Sequence, residues 1–381
     1  MRRSVATAGL VAAIAACAPS RAAEPPPGRA DAPAPGPAPA PRPGPAPAPG
    51  PDGRRWIAGD LHVHIAPFDA REGASLRIAD LERDGPAAGL EFVIVTPHVH
   101  PRTLASPGRR REWMTRWSAM AAEARAARAL TIIPGTEYTV WGYGHFGVSG
   151  LDLAAVRGDD VLGAAAAAGA LVVVNHPYAV PTGIPGIPIS ERDLSFRPWT
   201  AGAAAGPVPR LDGVEVWNLP LGLANLASRP GGQSGEQRAF ATADALARRE
   251  GRPIATVGGS DTHARHLVPT TWVLAADAGE AAILAAVRAG ATCVGSPAAG
   301  TLVARGDAEP VADRWARIGE STRARARVDL RWTGRARLFV DGVDRGEHDG
   351  AWTHTATAGA HTYRIEQDGS RCGFVYANVG P

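Results

Sequence analysis

The 381-residue chain has no lysine; all 40 of its basic residues are arginine. That absence excludes a Schiff-base amine, the lysine of a phosphate-binding loop and a Ser-x-x-Lys nucleophile. Cysteine is almost as scarce. Cys17, Cys293 and Cys372 are the full set, none in a Cys-x-x-Cys pair or beside a histidine, so they are a poor basis for a thiolate metal site. Cys293 and Cys372 can form a disulfide only if the fold brings them together, which their separation in sequence does not decide. No Gly-x-Ser-x-Gly elbow is present. The formal net charge of +3 is too small to argue for nucleic acid as a partner.

The ends of the chain carry their own signals. In "MRRSVATAGLVAAIAACAPS" two arginines precede a short apolar segment, the layout of an export signal over 1–17 and too short for a stable membrane span. Ile14-Ala15-Ala16-Cys17 resembles a bacterial lipobox, which makes Cys17 the lipidated first residue of a mature, membrane-anchored protein. Cleavage near Ala18 or Ala22, with Cys17 discarded and the protein released to the periplasm, is the alternative. Residues 18–53 form a Pro/Ala tract that cannot build a core and extends as a semi-rigid spacer.

From Arg55 onward apolar runs alternate with Ala/Leu/Arg-rich segments of helical period, as in βα-repeats around parallel strands. The strand candidates are "RWIAGDLHVH", "EFVIVTPH", "LTIIPGTE", "ALVVVNHP", "DGVEVWN", "PIATVGGSD" and "TTWVLAA". Helices are expected near 76–88, 112–129, 160–168, 237–250 and 279–288. The second has arginines along and just before it, best read as a solvated face in a lysine-free protein. Polar residues repeatedly end the apolar runs: His62, His64, His98, Glu137, His176, Asn218, Asp261 and His263. In a closed parallel barrel such ends converge on one face, where chemistry is placed. A single histidine at a strand end is usually a hydrogen-bonded surface or core residue. Eight of the eleven histidines, however, lie between His62 and His266, and that grouping points to a metal site.

The ordered set "DLHVH…FD", "VTPH", "PGTE", "GHF", "VNHP", "VEVWN" and "GGSDTH" resembles the PHP family, named for polymerase and histidinol phosphatase domains. The likeness spans about Trp56 to Gly300. "GTEYT" followed by "GHFGVSGL" is most similar to an exported branch of carbaryl-hydrolase-like metallohydrolases. The resemblance implies a distorted (β/α)7 barrel over 54–302 and two to three divalent ions, Zn, Mn or Fe. It also implies the ligands. His62, His64, Glu137 and Asp261 would hold one ion, Glu137 with His145 and His176 a second, and Asp69, His98 and His263 a third. Pro97 stands where the family usually has an aspartate, which leaves His98 without its customary orienting carboxylate. His100 and Arg102 are possible substitutes or anion contacts.

The resulting expectation is a metal-dependent, phosphoesterase-like hydrolase that acts on a small ester through a metal-activated water, with no separate protein base. Ser260, beside Asp261 and His263, reads as part of the metal motif and not as a nucleophile. One alternative is a carbamate or carboxylic ester hydrolase with the same metals. Another, of a different class, is a lipid-tethered, non-catalytic metal- or partner-binding protein. An insertion over 178–211 follows a strand end and should cover the pocket mouth. Arg102, Tyr178, Trp199 and Arg265 are the candidate substrate contacts. Beyond it, residues 303–381 alternate in short strands with Asp-Gly turns and predict a small β-sandwich-like domain.

Overall fold

In a computed structural model of the chain the described residues are 52–140, 144–177, 210–218, 235–264, 266–311 and 313–380. The expected export signal with Cys17, the spacer, nearly all of the insertion with Tyr178 and Trp199, and Arg265 lie outside them.

The fold is mixed α/β, organised around a large, mostly parallel sheet. In chain order its strands are β1 (Arg55–Val63), β2 (Phe92–Val95), β3 (His98–Val99), β4 (Thr131–Val140), β5 (Gly144–Ser149), β6 (Leu171–Asn175), β7 (Gly213–Asn218), β8 (Ala255–Gly259), β9 (Thr271–Ala275) and β10 (Thr292–Val294). Parallel ladders join β1 to β2, β2 and β3 to β4, β6 to β7 and β7 to β8. Strand β5 is antiparallel to both β4 and β6. It was not legible as a strand because the short run "GHFGVS" has two glycines and only two apolar residues, Phe146 and Val148, too few to read as an alternation. Strand β1 is shared at its other edge. Its first half pairs antiparallel with β9, while its end meets the segment after β8 through a parallel Val63–Thr262 bridge and the hydrogen bonds Asp261 N to His62 O (2.9 Å) and His64 N to Thr262 O (3.0 Å).

The strands are apolar on both faces, as expected of a covered parallel sheet. One face packs Ile57, Phe92, Ile94, Ile133, Val173 and Val257 with Ile283, Leu284 and Val287. The other packs Val93, Val95, Ile132, Val172 and Val214 under Trp113, Trp117, Phe240 and Leu246. The helices are α1 (Ile78–Asp84), α2 (Pro101–Ala105), α3 (Pro107–Ala126), α4 (Val161–Ala168), α5 (Gly235–Glu250) and α6 (Glu280–Arg288). Start signals fit: Pro107 opens α3, and the Asp160 carboxylate accepts from Gly163 N at 2.8 Å to cap α4, which ends on left-handed Gly169. In α3, Trp113, Trp117, Met120 and Ala124 form one buried stripe, whereas Arg109, Arg111, Arg116 and Arg125 are exposed. Among the described residues no helix is long and apolar enough to cross a membrane.

The C-terminal region contains β11 (Val303–Gly306), β12 (Ala316–Arg317), β13 (Ser321–Ala324), β14 (Arg327–Val340), β15 (Val343–Thr355), β16 (Gly359–Gln367), β17 (Ser370–Cys372) and β18 (Val375–Val379). The pairings among them are antiparallel except β13 with β18. Where short strands were expected, residues 327–340 run as the single long strand β14, bent at register shifts between Arg331 and Arg335 and between Arg337 and Phe339. Strand β15 has no fully buried residue, so its sequence has no hydrophobic period to read. Strand β17 pairs with β10, and a disulfide joins the register partners Cys293 and Cys372. Tyr376 OH accepts from Ile254 N at 3.1 Å, and the Arg364 guanidinium lies over the Phe240 and Phe339 rings.

Candidate metal centre

The polar residues continue the inward strand faces. In β4, Ile133 is followed four residues later by Glu137. In β6, Val173 is followed two later by Asn175. Because alternate residues share a face, the apolar interior passes directly into a polar floor at the strand ends. Strand β1 would break this rule, since Ile57 and His62 differ in parity. Its pairing with β2 slips between Asp60 and Val63, and that bulge turns His62 and His64 to the side already faced by Ile57 and Leu61. A second slip between Glu215 and Trp217 does the same for Asn218.

Glu137, fully buried, is the hub. Its Oε1 lies 3.2 Å from His145 Nδ1, 3.2 Å from His176 Nε2 and 3.4 Å from His62 Nε2. Its Oε2 lies 3.1 Å from His98 Nδ1 and 3.4 Å from His64 Nε2. Asp261 Oδ1 is 3.0 Å from His64 Nε2 and 3.5 Å from His62 Nε2. The two Nε2 atoms of His62 and His64 are themselves 3.0 Å apart. The ligating atoms of His62, His64 and Glu137, of His62, His176 and Asp261, of His98, Glu137 and His145, and of His64, His98 and His263 each fall within 4.8 Å of one another.

Around this set stands a layer of supports. Glu215 Oε1 receives His62 Nδ1 at 3.1 Å and its Oε2 accepts from His176 N at 2.6 Å. Asp69 Oδ2 receives His64 Nδ1 at 3.0 Å, and Asp69 Oδ1 accepts from His98 N at 3.1 Å. A carboxylate only accepts, so the two contacts to ring nitrogens put the proton of neutral His62 and His64 on Nδ1 and direct Nε2 of each to the cluster as a ligand. Asn175 Nδ2 donates to Glu137 Oε1 at 2.8 Å. Helix α3 braces the strand ends, with Trp113 Nε1 donating to His98 O and Trp117 Nε1 to Gly135 O. Pro97, at the position of the missing aspartate, accepts from both Glu137 N and Thr136 Oγ1 through its carbonyl. The Ser260 hydroxyl donates to His62 O and accepts from Thr262 N, which makes it a brace between strand ends.

Two of these positions are conformationally unusual. His176 has φ 30° and Asp261 φ 51°, a region uncommon for non-glycine residues, although Asp and His enter it more readily than most and Asp313, Asp341 and Asp368 also do so away from the site. At Gly259 an added Cβ would sit 2.1 Å from Glu215 Oε1 and 2.4 Å from His62 Cβ, so only glycine lets Glu215 reach His62.

Electrostatically the cluster is a set of mutually dependent charges. Burial opposes a charge on His62, but the Glu137, Asp261 and Glu215 carboxylates raise its pKa well above the ordinary imidazole range. His64 and His176 are raised for the same reason, against the same burial. For His145 burial wins and the pKa falls. Burial also works against Glu137 and Asp261, yet the surrounding imidazoles hold both carboxyls down. Asp60, sealed beneath the site, is pushed by burial up to about 6 despite hydrogen bonds from Ser260 and His62. His98 Nδ1, His145 Nδ1 and Glu137 Oε2 are buried without an aligned hydrogen-bond partner. Unsatisfied donors and acceptors of metal-binding type, aimed at one another, fit a group of divalent cations.

Of the sequence candidates, His62, His64, His98, Glu137, His145, His176, Asp261 and His263 converge here, with Asp69 at the edge. Exposed Arg102 lies on α2, just beyond β3, and half-buried His100 stacks against the His98 ring. Three participants gave no individual signal. Glu215 lies within "VEVWN" and Asn175 within "VNHP". Glu72, in the turn after Asp69, brings its Oε2 to 2.9 Å from His98 Nε2 and 3.7 Å from His263 Nε2.

No protein-family model matches the chain, and no curated protein matches its sequence. Among solved structures, one similar chain is a two-domain protein containing a predicted PHP-like metal-dependent phosphoesterase from Bacteroides vulgatus ATCC 8482. The similarity has a TM-score of 0.43 at 15% identity and covers 88% of this chain and 91% of that one.

Proposed function

We propose that this chain is an exported metal-dependent hydrolase of the PHP type, phosphoesterase-like, with its site at the strand ends of a distorted (β/α)7 barrel. The observation that carries the reading is the packing of five imidazoles against the one buried carboxylate of Glu137, each of the five within 3.4 Å. Two or three divalent cations, when bound, supply an activated water and stabilise the anion that develops on the substrate. Glu137 would be shared between two cations; His62, His64 and Asp261 would complete one position, His145 and His176 the second. Glu215 and Asp69 hold the imidazoles of His62 and His64 in the tautomer that ligates. Asn175 fixes the rotamer of Glu137. Arg102, Tyr178, Trp199 and Arg265 are the proposed substrate contacts, with an export signal over 1–17 acylated at Cys17, a spacer over 18–53, the catalytic unit over 54–302 and a β-sandwich-like domain over 303–381.

The test is elemental analysis followed by rate comparison on one metal-loaded sample. Two to three equivalents of Zn, Mn or Fe per chain are expected, and less than one after reconstitution overturns the site. Aryl phosphates and phosphodiesters should be hydrolysed with higher kcat/KM than aryl carboxylic esters or N-methylcarbamates. A preference of about tenfold or more for the latter, some 1.4 kcal/mol in the transition state, replaces phosphoester with carbamate or ester hydrolysis. Incorporation of an alkyl-chain fatty acid probe that depends on Cys17 is expected; label-free protein in the periplasm overturns the anchor.

A further inference from the structure

The outer edge of the site holds a carboxylate that no motif accounts for. Glu72 ends the short turn Ala70–Glu72 that follows Asp69, and the turn is pinned on both sides: Glu72 N and Ala74 N donate to Asp69 O, and Ser75 N donates to His263 O at 2.9 Å. Its Oε2 faces His98 Nε2 at 2.9 Å and His263 Nε2 at 3.7 Å. The tautomer of His263 follows from its other nitrogen. Nδ1 lies 3.2 Å from the Asp261 carbonyl, which can only accept, so a neutral His263 keeps its proton on Nδ1 and would offer Nε2 to a cation held between it and Glu72. His98 turns its remaining nitrogen, Nδ1, to the bridging Glu137 at 3.1 Å. Asp69 also has a ligand atom within 4.8 Å of Glu72 and His98, but it is buried and both its oxygens already accept, one from His64 Nδ1 and one from His98 N.

We propose that Glu72, not Asp69, is the carboxylate ligand of the outermost cation, together with His98 and His263, and that Asp69 is a positioning residue for His64 and His98. This rests on the metal-centre reading above and changes its third position. Asp69 is the residue that the family resemblance puts there; Glu72 displaces it because the turn presents one half-exposed carboxylate to two Nε2 atoms at once, with no hydrogen bond from a backbone N–H among the described residues to hold it as a support. With a side chain that is 51% exposed, Glu72 also places that cation at the solvent edge of the site, where it can exchange.

Zn2+ stoichiometry and affinity, measured for the full chain, Glu72→Gln and Asp69→Asn across a series of buffered free-metal concentrations, tests this. Three equivalents are expected for the parent chain. Loss of a support around a ligand costs about 10–100-fold in affinity. Glu72→Gln should therefore weaken one equivalent by about 100-fold or more and leave two unchanged, while Asp69→Asn stays within the smaller range. With Co2+ as a spectroscopic probe, the visible absorption of the third equivalent should change in Glu72→Gln and persist in Asp69→Asn. Circular dichroism checks that both variants fold. A third equivalent that survives Glu72→Gln unaltered, beside a parent chain that binds three, overturns this proposal alone. A parent chain that stops at two equivalents also overturns it. Less than one equivalent in the parent chain overturns the metal centre itself.

Discussion

Replacing Glu215 with glutamine keeps the shape of the side chain and removes its ability to accept from every direction. The wild-type carboxylate is surrounded by donors: His62 Nδ1 at 3.1 Å, His176 N at 2.6 Å and Asn218 Nδ2 at 3.4 Å from Oε2. A glutamine amide has one accepting oxygen and one donating nitrogen, so one of two arrangements follows. With its oxygen toward His62, its NH2 meets the N–H of His176. With its NH2 toward His62, the imidazole must accept at Nδ1 and carry its proton on Nε2, the atom that faces the metal position. Either arrangement weakens the ligand. The expected loss is about 10–100-fold in metal affinity, or about 1.4–2.7 kcal/mol, without a change in the number of ions bound at saturation. Chelator competition on the folded variant measures it. Affinity within about twofold of the parent would refute the claim that Glu215 sets the His62 tautomer, because so small a change falls below the range for a lost support.

Gly259→Ala should reproduce part of this defect by pushing Glu215 from His62, and should add about 1–3 kcal/mol of overpacking, read by urea denaturation; unchanged stability and metal affinity would count against it. Glu137→Gln should lose more activity per bound metal than His98→Ala, since the bridge touches every imidazole of the inner set; the reverse order would mean the hub is misassigned. Removing the disulfide as Cys293→Ala with Cys372→Ala opens a link across 79 residues, worth up to about 4.5 kcal/mol by loop entropy. Two titratable thiols besides any from Cys17 in the denatured, unreduced parent would refute the link. Metal affinity should fall with pH: against burial, carboxylates raise His62, His64 and His176, so these imidazoles keep protons that a cation must displace, and the loss grows as pH drops. Affinity independent of pH would contradict that coupling.

Much of the site was legible because apolar runs ending in His, Glu or Asp mark the strand ends, and strand periodicity carries over from Ile133 to Glu137 and from Val173 to Asn175. The strands that escaped notice lack the signal on which such reading depends: β5 is glycine-rich and β15 buries nothing fully. The bulge in β1 was equally invisible. By strict alternation Ile57 and His62 belong on opposite faces, and only the slipped register unites them. Glu215 and Glu72 were missed for a related reason, since an acidic residue in a strand or turn reads as solvated until the fold places an imidazole against it.

The pairing of β17 with β10, and of Tyr376 with Ile254, ties the final residues of the chain to strands that flank the metal cluster. A polypeptide released from its N-terminus onward therefore carries the histidine and carboxylate cluster for a long interval with β10 as an open edge and Cys293 unpartnered. Completion of that half of the fold waits for residues 370–379 to be synthesised. Truncation before residue 370 would leave that edge available to a second copy, so aggregation, not a trimmed soluble unit, is the consequence to design around.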